Sequence, residues 1–231
     1  MSNHAMTLLW LRPGTANRFA CENCLRDRDL AAQWTRLGIT IQSVATYLPL
    51  AEEPYAPVFY GALRTWLGMQ KPGLRNLPAM LNQLLDSPRL LAFLAGRART
   101  TDPQQGAALT EAMLIGNYDP RLDHELLQQV QRLGQKPTRV LISTPLLARQ
   151  GRRLAAALNC PWYSLLGGEE HWVEALGGSM PQRIWALMRE ESLSCAAFVR
   201  YHAEIHPLIH QHLQPNVIID ATELHTHGYA K

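Results

Sequence analysis

Thr7-Leu8-Leu9-Trp10-Leu11-Arg12-Pro13-Gly14-Thr15-Ala16-Asn17 is the stretch whose reading decides the fold. The apolar run from Thr7 to Arg12 has the length and side chains of a buried strand, and Pro13-Gly14 ends it as a turn. Loop residues lead to a helix from about Glu22 to Leu37, where Leu25, Leu30, Ala31, Trp34 and Leu37 recur at helical spacing and Gly38 supplies the stop. Ile39 to Leu48 is β-branched and reads as the next strand. Strand, turn, helix and strand in that order form the first unit of a doubly wound parallel sheet.

The rhythm returns in the second half. Strands are predicted at Arg139–Ser143, Trp162–Leu166, Ala196–Tyr201 and Val217–Asp220. Helices are predicted at Leu146–Leu158, Pro181–Leu193 and Ala203–Leu213. Between the halves, about 61–135, helical stretches dominate: Leu74–Leu85, Pro88–Arg99, Pro103–Leu114 and Pro120–Leu133, several opening on a proline. The predicted fold is α/β, a doubly wound parallel sheet in one domain carrying a helical insertion.

Composition narrows the function classes. Hydrophobic residues make up 47% and charged residues 18% of 231, the balance of a globular chain with one large core. A net charge of +3 and the lack of an aromatic-interleaved basic stripe argue against nucleic acid as partner. No apolar run approaches the roughly 18 to 20 residues that span a bilayer, and the opening Ala5–Leu11 lacks the basic lead-in of a signal peptide. Cys21, Cys24, Cys160 and Cys195 do not make a disulfide framework in a chain this long, so a reducing, cytoplasmic setting is expected.

Four features invite chemistry. The loop after the first strand, with Gly14, Thr15, Asn17, Glu22 and Asn23, reaches a helix N-terminus whose N–H groups favour an anion; it reads equally as a plain strand–helix connection. Within it, Cys21-Glu22-Asn23-Cys24 has the spacing of a redox pair or half a zinc site, against small cysteines packing a first turn. Gly167-Gly168-Glu169-Glu170-His171 follows the strand Trp162–Leu166, at the carboxyl end where open α/β sheets bind ligands; a carboxylate there can bond sugar hydroxyls or merely cap the next helix. His202, His206 and His210 recur at i, i+4 spacing, which can ligate a metal or form a solvated helix face, with Pro207 interrupting. No metal site is predicted.

The insertion carries a further pattern. Leu74, Leu77, Leu81, Leu84, Leu85, Leu90, Leu91 and Leu94 make apolar faces flanked by Arg64, Lys71, Arg75, Arg89, Arg97 and Arg99. Such faces pack against a sheet, or they meet a membrane surface. The second option adds the inner membrane face to the expected location.

Several phrases resemble the N-terminal domain of bacterial family 4 glycosyltransferases. They are Phe19-Ala20-Cys21-Glu22-Asn23-Cys24-Leu25-Arg26-Asp27, Tyr47-Leu48-Pro49-Leu50, Pro57-Val58-Phe59-Tyr60-Gly61, Leu84-Leu85-Asp86-Ser87-Pro88 and Leu166-Gly167-Gly168-Glu169-Glu170. The tail Ala221-Thr222-Glu223-Leu224 falls where that family enters its interdomain linker. The resemblance implies one half of a GT-B enzyme, in which two Rossmann-like domains face each other across a cleft. The first domain binds the acceptor, a sugar or lipid-linked molecule, and the second binds the nucleotide-sugar donor. It further implies that Gly14, Thr15, Asn17, Glu22, Asn23, Gly168, Glu169, Glu170 and His202 face that cleft.

The chain also departs from the family. Glu22 and Asn23 stand where the resembling subgroup has two glycines, Gly167 replaces a His or Gln, and His202 replaces a Ser. No Glu lies eight positions after another, so the donor domain's Glu-x7-Glu pair is missing. The expectation is therefore an acceptor-binding half, with no cofactor of its own and the nucleotide-sugar bound only with a C-terminal domain or partner chain. The alternative is a non-catalytic sugar-binding or scaffold domain of the same descent. An uncovered cleft is also expected to self-associate weakly, through residues near Gly167–His171 and Ala221–Tyr229.

Overall fold

A computed structural model describes residues 6–14, 22–46, 49–50, 67–68, 71, 73–74, 77–85, 87–95, 103–116 and 121–227. Within them, six strands form one parallel sheet: β1 (Thr7–Arg12), β2 (Thr40–Ala45), β3 (Arg139–Ile142), β4 (Trp162–Leu166), β5 (Ala197–Arg200) and β6 (Ile218–Asp220). Their order is β2-β1-β3-β4-β5-β6. Pairing is in parallel throughout, Leu8 aligning with Ile41 on one side and with Arg139 on the other. The winding reverses between β1 and β3, which makes the gap above their carboxyl ends the switch point of a doubly wound fold. β1 is an interior strand, second from the β2 edge, and the middle of the sheet is β3 and β4.

All of β1 is buried, which is why it reads as a continuous apolar run and not as an alternation. Leu8 and Trp10 point to one face, where they meet Leu30 and Trp34 of α1 (Glu22–Arg36). Leu9 and Leu11 point to the other. There they pack with Met113 of α4 (Pro103–Ile115), Leu126 and Val130 of α5 (Arg121–Gln131) and Leu154 of α6 (Ala148–Leu158). Farther along that face, α7 (Glu169–Glu174), α8 (Met180–Glu191) and α9 (Pro207–His212) bury Val173, Trp185 and Ile209 against Leu166 and Phe198. Gly151 lets α6 approach closely. A Cβ there would stand 2.9 Å from Ile142 Cγ2 and 3.1 Å from Trp162 Cε3, so side chains larger than hydrogen push helix from sheet.

Among its described residues the insertion is mainly helical, with α2 (Ala79–Leu85) and α3 (Pro88–Ala95) preceding α4 and α5. Its leucines divide: Leu91 is buried, while Leu81 and Leu84 are exposed. The side chain of Leu94 lies outside the described residues. The helix expected from Leu74 begins at Ala79, and two other predicted bounds change for local reasons. A 3-10 turn, Pro145–Leu147, precedes α6 and is capped by Thr144, whose side chain accepts from Leu146 N–H. The helix expected from Ala203 begins only at Pro207, because His206 takes an extended backbone and caps it.

The tail is not a free linker. Residues Ala221–Glu223 form a 3-10 turn, and Leu224 is fully buried with Leu141, Tyr163 and Val199. Trp34 Nε1 donates to Ala221 O at 3.0 Å, and the Arg139 guanidinium donates to Leu224 O. Ala221 and Leu224, expected beside a self-association surface, are thus part of the core. Residues 228–231 lie outside the described residues.

Candidate functional site

The first turns of α1 hang over the switch point, and Arg26 is their anchor. Its Nη2 donates to Ser143 O just past β3 at 2.6 Å, and its Nη1 to Leu166 O at the end of β4 at 3.3 Å and to Gly167 O at 3.5 Å. Nε and Nη2 hold Asp27 Oδ1 at 3.0 and 2.8 Å. On Asp27's other side, Arg12 Nε lies 3.8 Å from Oδ2. One guanidinium therefore clamps the carboxyl ends of two strands to the helix, with Asp27 between two arginines. Burial pushes the Asp27 carboxyl above its ordinary value, although Arg26, the Ser143 hydroxyl and Arg12 all favour its ionised form.

Beside this clamp runs the turn Leu166-Gly167-Gly168-Glu169. Gly168 caps α7 with φ +85°, a left-handed conformation that only glycine adopts without strain. The turn folds the Glu169 side chain back, so that Oε2 accepts the Gly167 N–H at 2.8 Å. Glu169 is 1% exposed, and its buried Oε1 has no hydrogen-bond partner among the described residues. Burial raises its carboxyl to about 7, against the lowering effect of Arg26 and of backbone N–H groups. Glu170 is also buried: one oxygen lies 3.2 Å from His171 Nδ1, and the other has no partner among the described residues. Asn23 reaches across from α1, its amide within 3.3 to 3.4 Å of where a Gly168 Cβ would stand.

Of the predicted residues, the structure thus brings together Asn23, Gly168, Glu169 and Glu170. Gly14, φ +79°, is half-buried at the exit of β1. His202 is exposed beyond β5, the strand next to β4, with its ring edge-on to Tyr201 at 5.0 Å. Thr15, Asn17 and the Glu22 side chain lie outside the described residues, as does Cys21. Cys24 is half-buried, and Cys195, which donates its S–H to Ala197 O, is pushed up to about 12 by burial. The helical histidine face does not form, since His202 and His206 precede α9. Among the described residues, no three His, Cys, Asp or Glu side chains are grouped to hold a metal ion.

The sequence reading missed Arg26 and Asp27 as site residues. A signal was present: both sit three to eight positions before Leu30 and Trp34, on the face α1 turns to the core. Charged residues on an apolar helical face require partners.

Fold and site together define an α/β protein with a doubly wound parallel sheet and buried carboxylates at the carboxyl ends of its strands. No model of a known protein family matches the chain, and no curated protein matches it.

Glu169 lowers stability at neutral pH, and its sign is testable. Between pH 4.5 and about 7 the unfolded chain gives up this proton while the folded chain keeps it, so stability falls as pH rises through that window. Glu169→Gln removes the effect. Urea unfolding should show the variant close to wild type near pH 4.5 and about 2–3 kcal/mol more stable at pH 8. A difference that does not change with pH would refute the assignment.

Proposed function

We propose that this domain binds the acceptor in a retaining, nucleotide-sugar-dependent glycosyl transfer, a second Rossmann-like domain holding the donor. One observation carries the reading: the Oε1 of Glu169, without a partner among the described residues, is buried at the carboxyl end of β4 beside two glycines. A buried carboxylate oxygen without a partner is costly, and a sugar hydroxyl donating to it removes that cost. Gly167 and Gly168 have no side chains to block a pyranose edge, and the Asn23 amide lies alongside to donate or accept. Arg26 touches no substrate in this scheme; it fixes the turn that aims Glu169. Only the ionised carboxylate accepts on both oxygens, so binding should weaken below about pH 7.

The resemblance of Cys21–Asp27 and Leu166–Glu170 to family 4 glycosyltransferases supports the same reading. Saturation-transfer NMR with a panel of mono- and disaccharides tests it. At least one sugar should bind, and Glu169→Gln should weaken it about ten-fold or more, as expected for a hydrogen bond to a charged group. Absence of any saccharide ligand, or one indifferent to the substitution, would refute it. The Asn23 amide against Gly168 favours a second reading, a sugar-binding domain without transfer, since it fills space where the resembling subgroup has glycine. Sugar binding without turnover when a donor domain and nucleotide-sugars are supplied would select that second reading.

A further inference from the structure

The helical insertion presents a surface that the sugar crevice does not use. On α2, Met80 is 82% exposed, Leu84 59% and Leu81 46%, and on α3 Phe93 is 56% exposed. These are four of the nine large apolar side chains exposed among the described residues, within fourteen positions of one another. Met80 and Leu84 are one helical turn apart, with Leu81 beside them, so they share a face. Leu91 on α3, 2% exposed, is by contrast buried. Both helices thus expose large apolar side chains, and α3 buries one as well.

Its charge is equally distinctive. Residues 62–99 hold Arg64, Lys71, Arg75, Arg89, Arg97 and Arg99 but a single acid, Asp86. Subtracting these from the chain's 22 basic and 19 acidic residues leaves sixteen basic and eighteen acidic elsewhere. The whole positive excess of the protein thus resides in residues 62–99, the first part of the insertion, where Lys71 and Arg89 are exposed. Among the described residues no helix is long and apolar enough to cross a membrane.

We infer that α2 and α3 dock on the surface of an anionic lipid bilayer. Met80, Leu81, Leu84 and Phe93 enter the acyl boundary, and Lys71 and Arg89 meet lipid phosphates. Apolar area supplies one part of such binding and basic residues near an anionic surface the other. A stable protein interface uses roughly 20–30 residues a side, many more than these four, and does not call for a one-sided charge.

Co-sedimentation of the full chain with vesicles tests this. The protein should remain in solution with phosphatidylcholine alone and bind when phosphatidylglycerol is mixed in, less so as salt is raised. Met80→Ser/Leu84→Ser/Phe93→Ser, and separately Lys71→Glu/Arg89→Glu, should each lower partitioning about ten-fold, with circular dichroism unchanged. Failure to bind the mixed vesicles overturns the inference, as does binding that both variants leave unaltered. A stable dimer in sedimentation velocity, dissociated by the Met80 and Leu84 changes, also overturns it by assigning the face to a second copy. None of these readouts depends on a sugar ligand.

Discussion

Replacing Arg26 with Met should cost about 3–5 kcal/mol of folding stability, the penalty for breaking a buried pair from one side. The methionine keeps the apolar stem but withdraws every bond the guanidinium makes. Asp27 is left 1% exposed, with Arg12 Nε 3.8 Å from its carboxylate. The carbonyls of Ser143, Leu166 and Gly167 lose the donor that reached them. A domain of this size is stabilised by about 5–15 kcal/mol in total, so the variant stands near the edge of folding. Arg26→Met/Asp27→Asn supplies the second measurement. With the buried charge removed as well, the double variant should be less destabilised than the sum of the two single changes. Denaturant unfolding of all three proteins checks both statements. A single-variant loss below about 1 kcal/mol would mean that the clamp is incidental.

Trp34→Ala should have a loss of the same order, about 3–5 kcal/mol, for a different reason. Trp34 is 1% exposed and stands 5.1 Å, ring to ring, from Trp10 of the sheet. Its Nε1 also donates to Ala221 O, so it joins α1, β1 and the tail. Removing it opens a cavity and frees the tail's first turn at once. Trp34→Phe separates the contributions: the ring largely remains, and only the hydrogen bond, about 1 kcal/mol, is lost. Hydrogen exchange should show faster exchange across 221–227 in both variants, and more in Trp34→Ala. If the Ala and Phe variants lose equal stability, ring packing is not what holds this corner.

The strands β1 and β4 have the bounds read from sequence because each is an apolar run closed by turn residues, Pro13-Gly14 and Gly167-Gly168. Both are buried along their whole length, so packing reinforces local propensity instead of opposing it. β2, at the sheet edge with one neighbour, begins at Thr40 and gives way to a bend at Thr46; Tyr47 and Leu48, the end of its β-branched run, lie outside the described residues. The helix at Ala203 failed for a local reason that sequence already held. Proline disfavours helical backbone in the residue before it, so Pro207 starts a helix and does not sit inside one. With that start, three evenly spaced histidines stop being one helical face.

Sequence by itself determined the fold class, the insertion and the turn that carries Glu169. Each depends on periodicity or on glycine and proline, which act within a few residues. Tertiary structure alone decided that β3 adjoins β1, which brings Ser143 and Leu166, 117 and 140 residues away, within reach of Arg26. It also decided that Glu169 is buried with an oxygen unused among the described residues, and that Leu91 is buried while Met80 and Leu84 remain exposed. Burial and pairing depend on which distant segments become neighbours. The order of strands in the sheet settles that, and local pattern does not encode it.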